Sequence, residues 1–88
     1  MQPDERIKVI TSRLQEKLNP SELEVIDNSA AHAGHAGAQS GAGHYTVVIQ
    51  AACFTGLSPI KQHQLVYDAL TGLIGPEIHA LSIKASTP

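Results

Sequence analysis

Ile7, Ile10, Leu14 and Leu18 recur three or four positions apart, with Lys8, Arg13, Gln15 and Glu16 between them. That spacing puts one apolar stripe on a helix and leaves the other faces polar. It predicts a first helix over residues 3–18, opened by Pro3 with Asp4 and Glu5 at its dipole-positive end and closed by Asn19-Pro20. Leu23-Glu24-Val25-Ile26-Asp27 reads as a first strand. Tyr45-Thr46-Val47-Val48-Ile49-Gln50 reads as a second, with Tyr45, Val47 and Ile49 on one face. Beyond a turn at Gly56, Ser58-Pro59 is an N-cap and first-turn pair for a second helix. The stripe of that helix is Ile60, His63, Val66, Tyr67, Leu70 and Ile74, and Gly75-Pro76 stops it; its first turn, Ser58 to Lys61, is compatible with a separate 3₁₀ piece. His79-Ala80-Leu81-Ser82-Ile83-Lys84 alternates as a third strand.

The order α-β-β-α-β is an α+β single domain over residues 1–88, with strand two central. Two strands joined by a loop pair antiparallel, whereas a β-α-β unit makes a right-handed parallel crossover. Strands two and three then begin at the same end of the sheet. His44 opens the second and His79 the third, and the loop leaving strand one carries His32 and His35 to that end. Four of the five histidines are therefore expected to converge, by topology alone.

The segment between the first two strands, Ala31-His32-Ala33-Gly34-His35-Ala36-Gly37-Ala38-Gln39-Ser40-Gly41-Ala42-Gly43-His44, sets three imidazoles on a backbone of almost nothing but Gly and Ala. Such a segment has little apolar surface to pack, so residues 29–43 are expected to be a flexible loop, the most mobile internal part of the chain. Neutral imidazole is the commonest protein ligand for metals. A His-rich loop in so small a domain serves a site rather than a core.

Composition removes several alternatives. Six Lys and Arg against eight Asp and Glu give a formal charge of −2, and the cations form no run, which argues against a strong grip on nucleic acid. One cysteine, Cys53, makes no internal disulfide; it is expected half-buried at the end of strand two. No apolar run approaches the roughly 18 residues of a membrane span. A soluble, cytoplasmic protein of a reducing compartment is the expectation, or one of the mitochondrial matrix or plastid if it is processed in a eukaryote. Nothing resembles a positioned nucleophile, base and oxyanion site, so no enzyme is expected.

The run Leu23-Glu24-Val25-Ile26-Asp27-Asn28-Ser29, then His32-Ala33-Gly34-His35 and Gly43-His44-Tyr45, resembles the BolA family. So do Phe54-Thr55-Gly56-Leu57-Ser58, His63-Gln64-Leu65-Val66-Tyr67 and Ile78-His79-Ala80-Leu81-Ser82-Ile83. The resemblance covers nearly the whole chain in order. It implies a type II KH-like fold, a three-stranded mixed sheet with helices on one face. It also implies a partner, a monothiol glutaredoxin, with which family members bridge a [2Fe-2S] cluster. In that picture the glutaredoxin gives one cysteine and glutathione one sulfur, and this chain gives two imidazole nitrogens. His79 and a loop histidine match the ligand positions; His32 occupies the usual loop place, with His35 and His44 as alternates. Two histidines replacing two cysteines on one iron raise its potential. The implied role is iron-sulfur cluster trafficking or iron and redox regulation, and a homodimer is a possible competing state.

Two departures from the family are visible. Gln62 stands where many members carry a basic residue, and the chain stops at Ser86-Thr87-Pro88, without the C-terminal tail of some members. The competing reading is a KH-like nucleic-acid-binding transcriptional regulator. A KH domain grips nucleotides with a Gly-x-x-Gly loop between helices. Here Gly34-His35-Ala36-Gly37 lies between strands, and Gly72-Leu73-Ile74-Gly75 reads as a helix terminus with two apolar residues in its middle. A zinc site from His32, His35 and His44 is a third reading, disfavoured by the looseness of the loop. His63, on the stripe of helix two, reads as a hydrogen-bonded structural histidine.

Overall fold

The computed structural model describes residues 3–28 and 43–88. Helix α1 spans Pro3–Leu18 as the periodicity predicts, with Asp4 and Glu5 in its first turn. It ends at Asn19, whose N–H donates to Gln15 O at 3.1 Å and whose φ of 46° is left-handed. Asparagine tolerates that region better than most residues, and Pro20 prevents the helix from resuming.

Strands β1 (Glu22–Asp27), β2 (Gly43–Gln50) and β3 (Ile78–Ser86) form one sheet in the order β1-β2-β3. β1 runs antiparallel to β2, and β3 parallel to it. Strand two is thus central and parallel to strand three, as the β-α-β argument requires. β2 and β3 are longer than the local pattern indicates. Gly43 belongs to β2 rather than to the preceding loop, because its N–H donates to Glu77 O at 3.0 Å and its Cα pairs with Ile78.

A short 3₁₀ turn, Ala52–Phe54, follows β2 and seats Phe54 in the core. It leaves Cys53 exposed rather than half-buried, with its Sγ 3.7 Å from Leu18 O. Helix α2 (Pro59–Ala69) starts on the predicted cap, where Ser58 Oγ accepts from Lys61 N–H at 3.3 Å; its first turn is continuous with the rest. The helix stops before Gly75-Pro76. After Leu70 the chain turns through Gly72, whose φ is 91°, and Arg13 Nη1 donates to Thr71 O at 3.0 Å, giving that helix end a cation from α1. The inward face of α2 is Val66 and Ala69, continued by Leu70 and Leu73 beyond the helix. Ile60, Tyr67 and Ile74 of the expected stripe stay exposed, Ile60 at 72%.

The core lies between one sheet face and the two helices. Alternate residues of β2 (Gly43, Tyr45, Val47, Ile49) are buried, and Tyr45, Val47 and Ile49 pack with Ile10, Leu14, Phe54, Val66, Leu70 and Ile78. Each large side chain fully buried this way contributes roughly 1.5–3 kcal/mol relative to exposure. The other sheet face, carrying Glu24, Ile26, His44, Thr46, Ala80 and Ser82, has no described helix over it. No described helix is long and apolar enough to cross a membrane.

Candidate functional site

The N-terminal ends of β2 and β3 meet at a break in register. Gly43 pairs with Ile78, but His44 pairs with Ala80, so His79 is an extra residue on β3. A bulge of this kind reverses the side-chain phase of a strand. Leu81, Ile83 and Ala85 pack toward the core, and unbroken alternation would send His79 the same way. Instead Ile78 fills the core position at 1% exposure and His79 emerges on the outside. Its ring lies 5.1 Å, centroid to centroid, from that of His44, with the planes tilted by 53°. The predicted convergence therefore holds for His44 and His79. His32 and His35, and the expected mobility of their loop, lie outside the described residues.

Beside His44 the open sheet face forms a shallow depression of about 430 Å³, floored by Asn28, Thr46, Ala80 and Ser82. Asn28 N–H donates to His44 O at 2.7 Å, and Thr46 Oγ1 donates to Asn28 Oδ1 at 2.6 Å. The end of β1 is thereby tied to β2 next to the histidines.

Residues 73–78 hold His79 from the other side. Leu73 O accepts from both Glu77 N–H (3.0 Å) and Ile78 N–H (2.9 Å), while Gly75, at φ 102°, donates to Ile78 O at 2.8 Å. Gly72-Leu73-Ile74-Gly75 is thus part of a folded hook, with Leu73 buried and Ile74 bridged to Ile78, and not an open nucleotide clamp. Arg6 Nε donates to Glu77 Oε1 at 3.0 Å, joining α1 to the hook; the two side chains are only 11% and 21% exposed.

The Arg6 hydrogen bond lowers the pKa of the Glu77 carboxyl. Burial pushes the Tyr45 phenol above its ordinary range, against the pull of the nearby Arg6 guanidinium. Desolvation opposes the charge on Arg6, but Glu77 and Tyr45 outweigh it and raise its pKa. The Tyr45 ring lies over Gly43, so a Cβ there would fall 2.6 Å from Tyr45 Cζ.

Among the described residues, no group of three or more His, Cys, Asp or Glu side chains comes together as a metal site. His63 is half-buried on α2, and among the described residues its side chain has no hydrogen-bond partner of the kind expected of a structural histidine. Local reading missed the register break, the need for Gly43 and the Arg6–Glu77 tie. The break had one signal, since Ile78 and Leu81 are both apolar and three apart, which strict alternation does not allow.

A profile of the family described as BolA-like protein matches residues 14–88. SufE-like protein 1, chloroplastic/mitochondrial, of Arabidopsis thaliana is 43% identical over 90% of this chain and 23% of its own length. BolA-like protein 1 of Homo sapiens is 39% identical over 90% of this chain and 56% of its own. The chain thus spans about half or less of these relatives. Among solved structures, the BolA domain of SufE1 from Arabidopsis thaliana superposes with a TM-score of 0.82 at 42% identity, covering 94% of this chain and 92% of that one. The solution structure of BolA1 from Mus musculus gives 0.78 at 35% identity, over 100% and 68%.

Proposed function

This chain belongs to the BolA-like family, and from that membership and the pairing of His44 with His79 we propose that it co-ligates a [2Fe-2S] cluster bridging it to a monothiol glutaredoxin. The observation carrying this reading is the ring pair. Centroids 5.1 Å apart on neighbouring strands are close enough for one nitrogen from each ring to serve a single metal ion. The described residues add no third ligand to that pair. A complete shell needs donors from elsewhere, and the family pattern supplies them as a glutaredoxin cysteine and the sulfur of glutathione.

His79 is the anchor in this account because the strand and hook fix its direction. The second nitrogen comes from His32 by the family pattern, with His44 in reach of the same metal as a substitute and His35 as a further loop alternate. When bound, the cluster supplies one-electron redox chemistry, and nitrogen ligation raises its potential above that of an all-sulfur site. The chain's own residues orient the imidazoles at the start of β2 and β3 and hold His79 on the exposed side of the sheet. The protein acts as a partner and not as an enzyme, in cluster trafficking or iron and redox regulation. That role suits the cytoplasm, the mitochondrial matrix or a plastid.

The test is co-purification with a monothiol glutaredoxin and glutathione, followed by absorption and iron analysis. A mixed complex holding two irons with a spectrum distinct from the glutaredoxin alone supports the reading, and a complex without iron contradicts it.

A further inference from the structure

Three features converge on one short stretch of backbone. Glu77 O accepts from Gly43 N–H at 3.0 Å, so the last residue of the hook is bonded to the first residue of β2. The Glu77 side chain takes the Arg6 guanidinium, 71 residues away in sequence, at 3.0 Å. Immediately afterwards comes the register break in which His79 is the extra residue.

The ion pair lies on the core side of this junction, next to the Tyr45 phenol, and the imidazole pair emerges on the other side. Removing it takes away the Arg6 tie between α1 and the turn connecting Leu73 to Ile78. The competing arrangement is an unbroken ladder in which His79 takes the core phase and Ile78 the outer one. The hook and its anchor hold the chain away from that slip, since a one-residue shift reverses every side chain of a strand.

We propose that Arg6 and Glu77 are positioning residues for the His44–His79 pair, acting through the hook that sets the β2–β3 register break. Neither touches a bound group; each acts on where His79 points. The functional consequence rests on the cluster-ligating role proposed above, whereas the positioning itself is a property of the free domain.

Two measurements separate these claims. In the free protein, nuclear Overhauser contacts between the His44 and His79 rings report their juxtaposition. Glu77→Gln and Arg6→Gln should each weaken these contacts severalfold, and the double variant no further, because both break one link. Arg13→Ala removes the Arg13–Thr71 tie at the end of α2 and serves as a comparison of general destabilisation; it should leave the ring contacts unchanged. In the mixed complex with glutaredoxin, the two Gln variants should lose the cluster about tenfold faster, the scale of effects from residues that orient metal ligands. Unchanged ring contacts in Glu77→Gln, or equal loss in Arg13→Ala, would overturn the positioning role whatever the cluster does. A wild-type complex without a cluster, with ring contacts that still depend on Glu77, would overturn the proposed function and leave the positioning role standing.

Discussion

His44 and His79 face one another across a break in strand register, with ring centroids 5.1 Å apart, and neither strand alone would bring them together. β2 alternates without interruption, so His44 is outward because Tyr45 is inward. β3 does not, and His79 is outward only because the bulge admits one more residue before the alternation of Leu81 and Ile83 begins.

Gly43→Ala should destabilise the domain by about 1–3 kcal/mol, the range for forcing a methyl into a packed core. The cause is steric, because the new Cβ would meet the Tyr45 ring. Gly56 has open space around it but a φ of 80°, so Gly56→Ala should cost about 1–2 kcal/mol through backbone strain. Urea unfolding of both variants checks this. Relief by Tyr45→Leu should occur for the Gly43 variant alone.

The sequence makes much of this fold legible, and the exceptions share a cause. Helix α1 is readable because Ile7, Ile10, Leu14 and Leu18 all serve one core, and the cap at Ser58 and the left-handed residue at Asn19 are local chemistry. The end of α2 is not readable from spacing, since Ile74 continues the apolar period although the chain has already turned to bring Leu73 inside. The meeting of His44 with His79 follows from topology, but the direction of His79 does not. It depends on Arg6, Gly43 and Leu73, each distant from it in sequence or set apart by the turn.

Phe54→Ala should cost about 3–5 kcal/mol, because the ring is wholly buried and its loss leaves a cavity beneath both helices. Ile26→Thr, on the open sheet face at 36% exposure, should change stability by less than about 1 kcal/mol. Denaturation followed by circular dichroism distinguishes the two. Similar losses for both would mean that the open face is covered in solution.

The Arg6–Glu77 pair makes a pH prediction. Glu77 has a pKa lowered in the folded state from its ordinary 4.5, so its contribution to stability is present above that value. It is lost as pH falls through the lower, folded value. The stability difference between the wild type and Glu77→Gln should therefore be constant near neutrality and shrink in acid below pH 4.5. Tyr45 acts at the other end: its pKa is raised above 10.0, so its contribution holds below that value and fades as pH rises through the folded one. A pH series of urea midpoints, with Tyr45→Phe as the alkaline comparison, tests both signs.

Binding to duplex DNA should be weak and lost at moderate salt. Arg6 is paired with Glu77, which leaves Arg13 and the scattered Lys8, Lys17, Lys61 and Lys84 to neutralise phosphates. Fluorescence anisotropy across a salt series measures this. Sequence-specific binding at nanomolar concentration by the isolated protein would favour the regulatory reading instead.

The most direct test is the absorption and electron paramagnetic resonance spectrum of the mixed glutaredoxin complex carrying His79→Ala, beside His32→Ala and His44→Ala. His79 is exposed and its side chain fills no core space, so its replacement leaves the domain folded. His79→Ala should alter the spectrum and make the cluster less stable, with smaller changes for His32→Ala and His44→Ala, which can substitute for one another. Spectra and cluster stability unchanged in His79→Ala would show that this residue is not a ligand and would contradict the central claim.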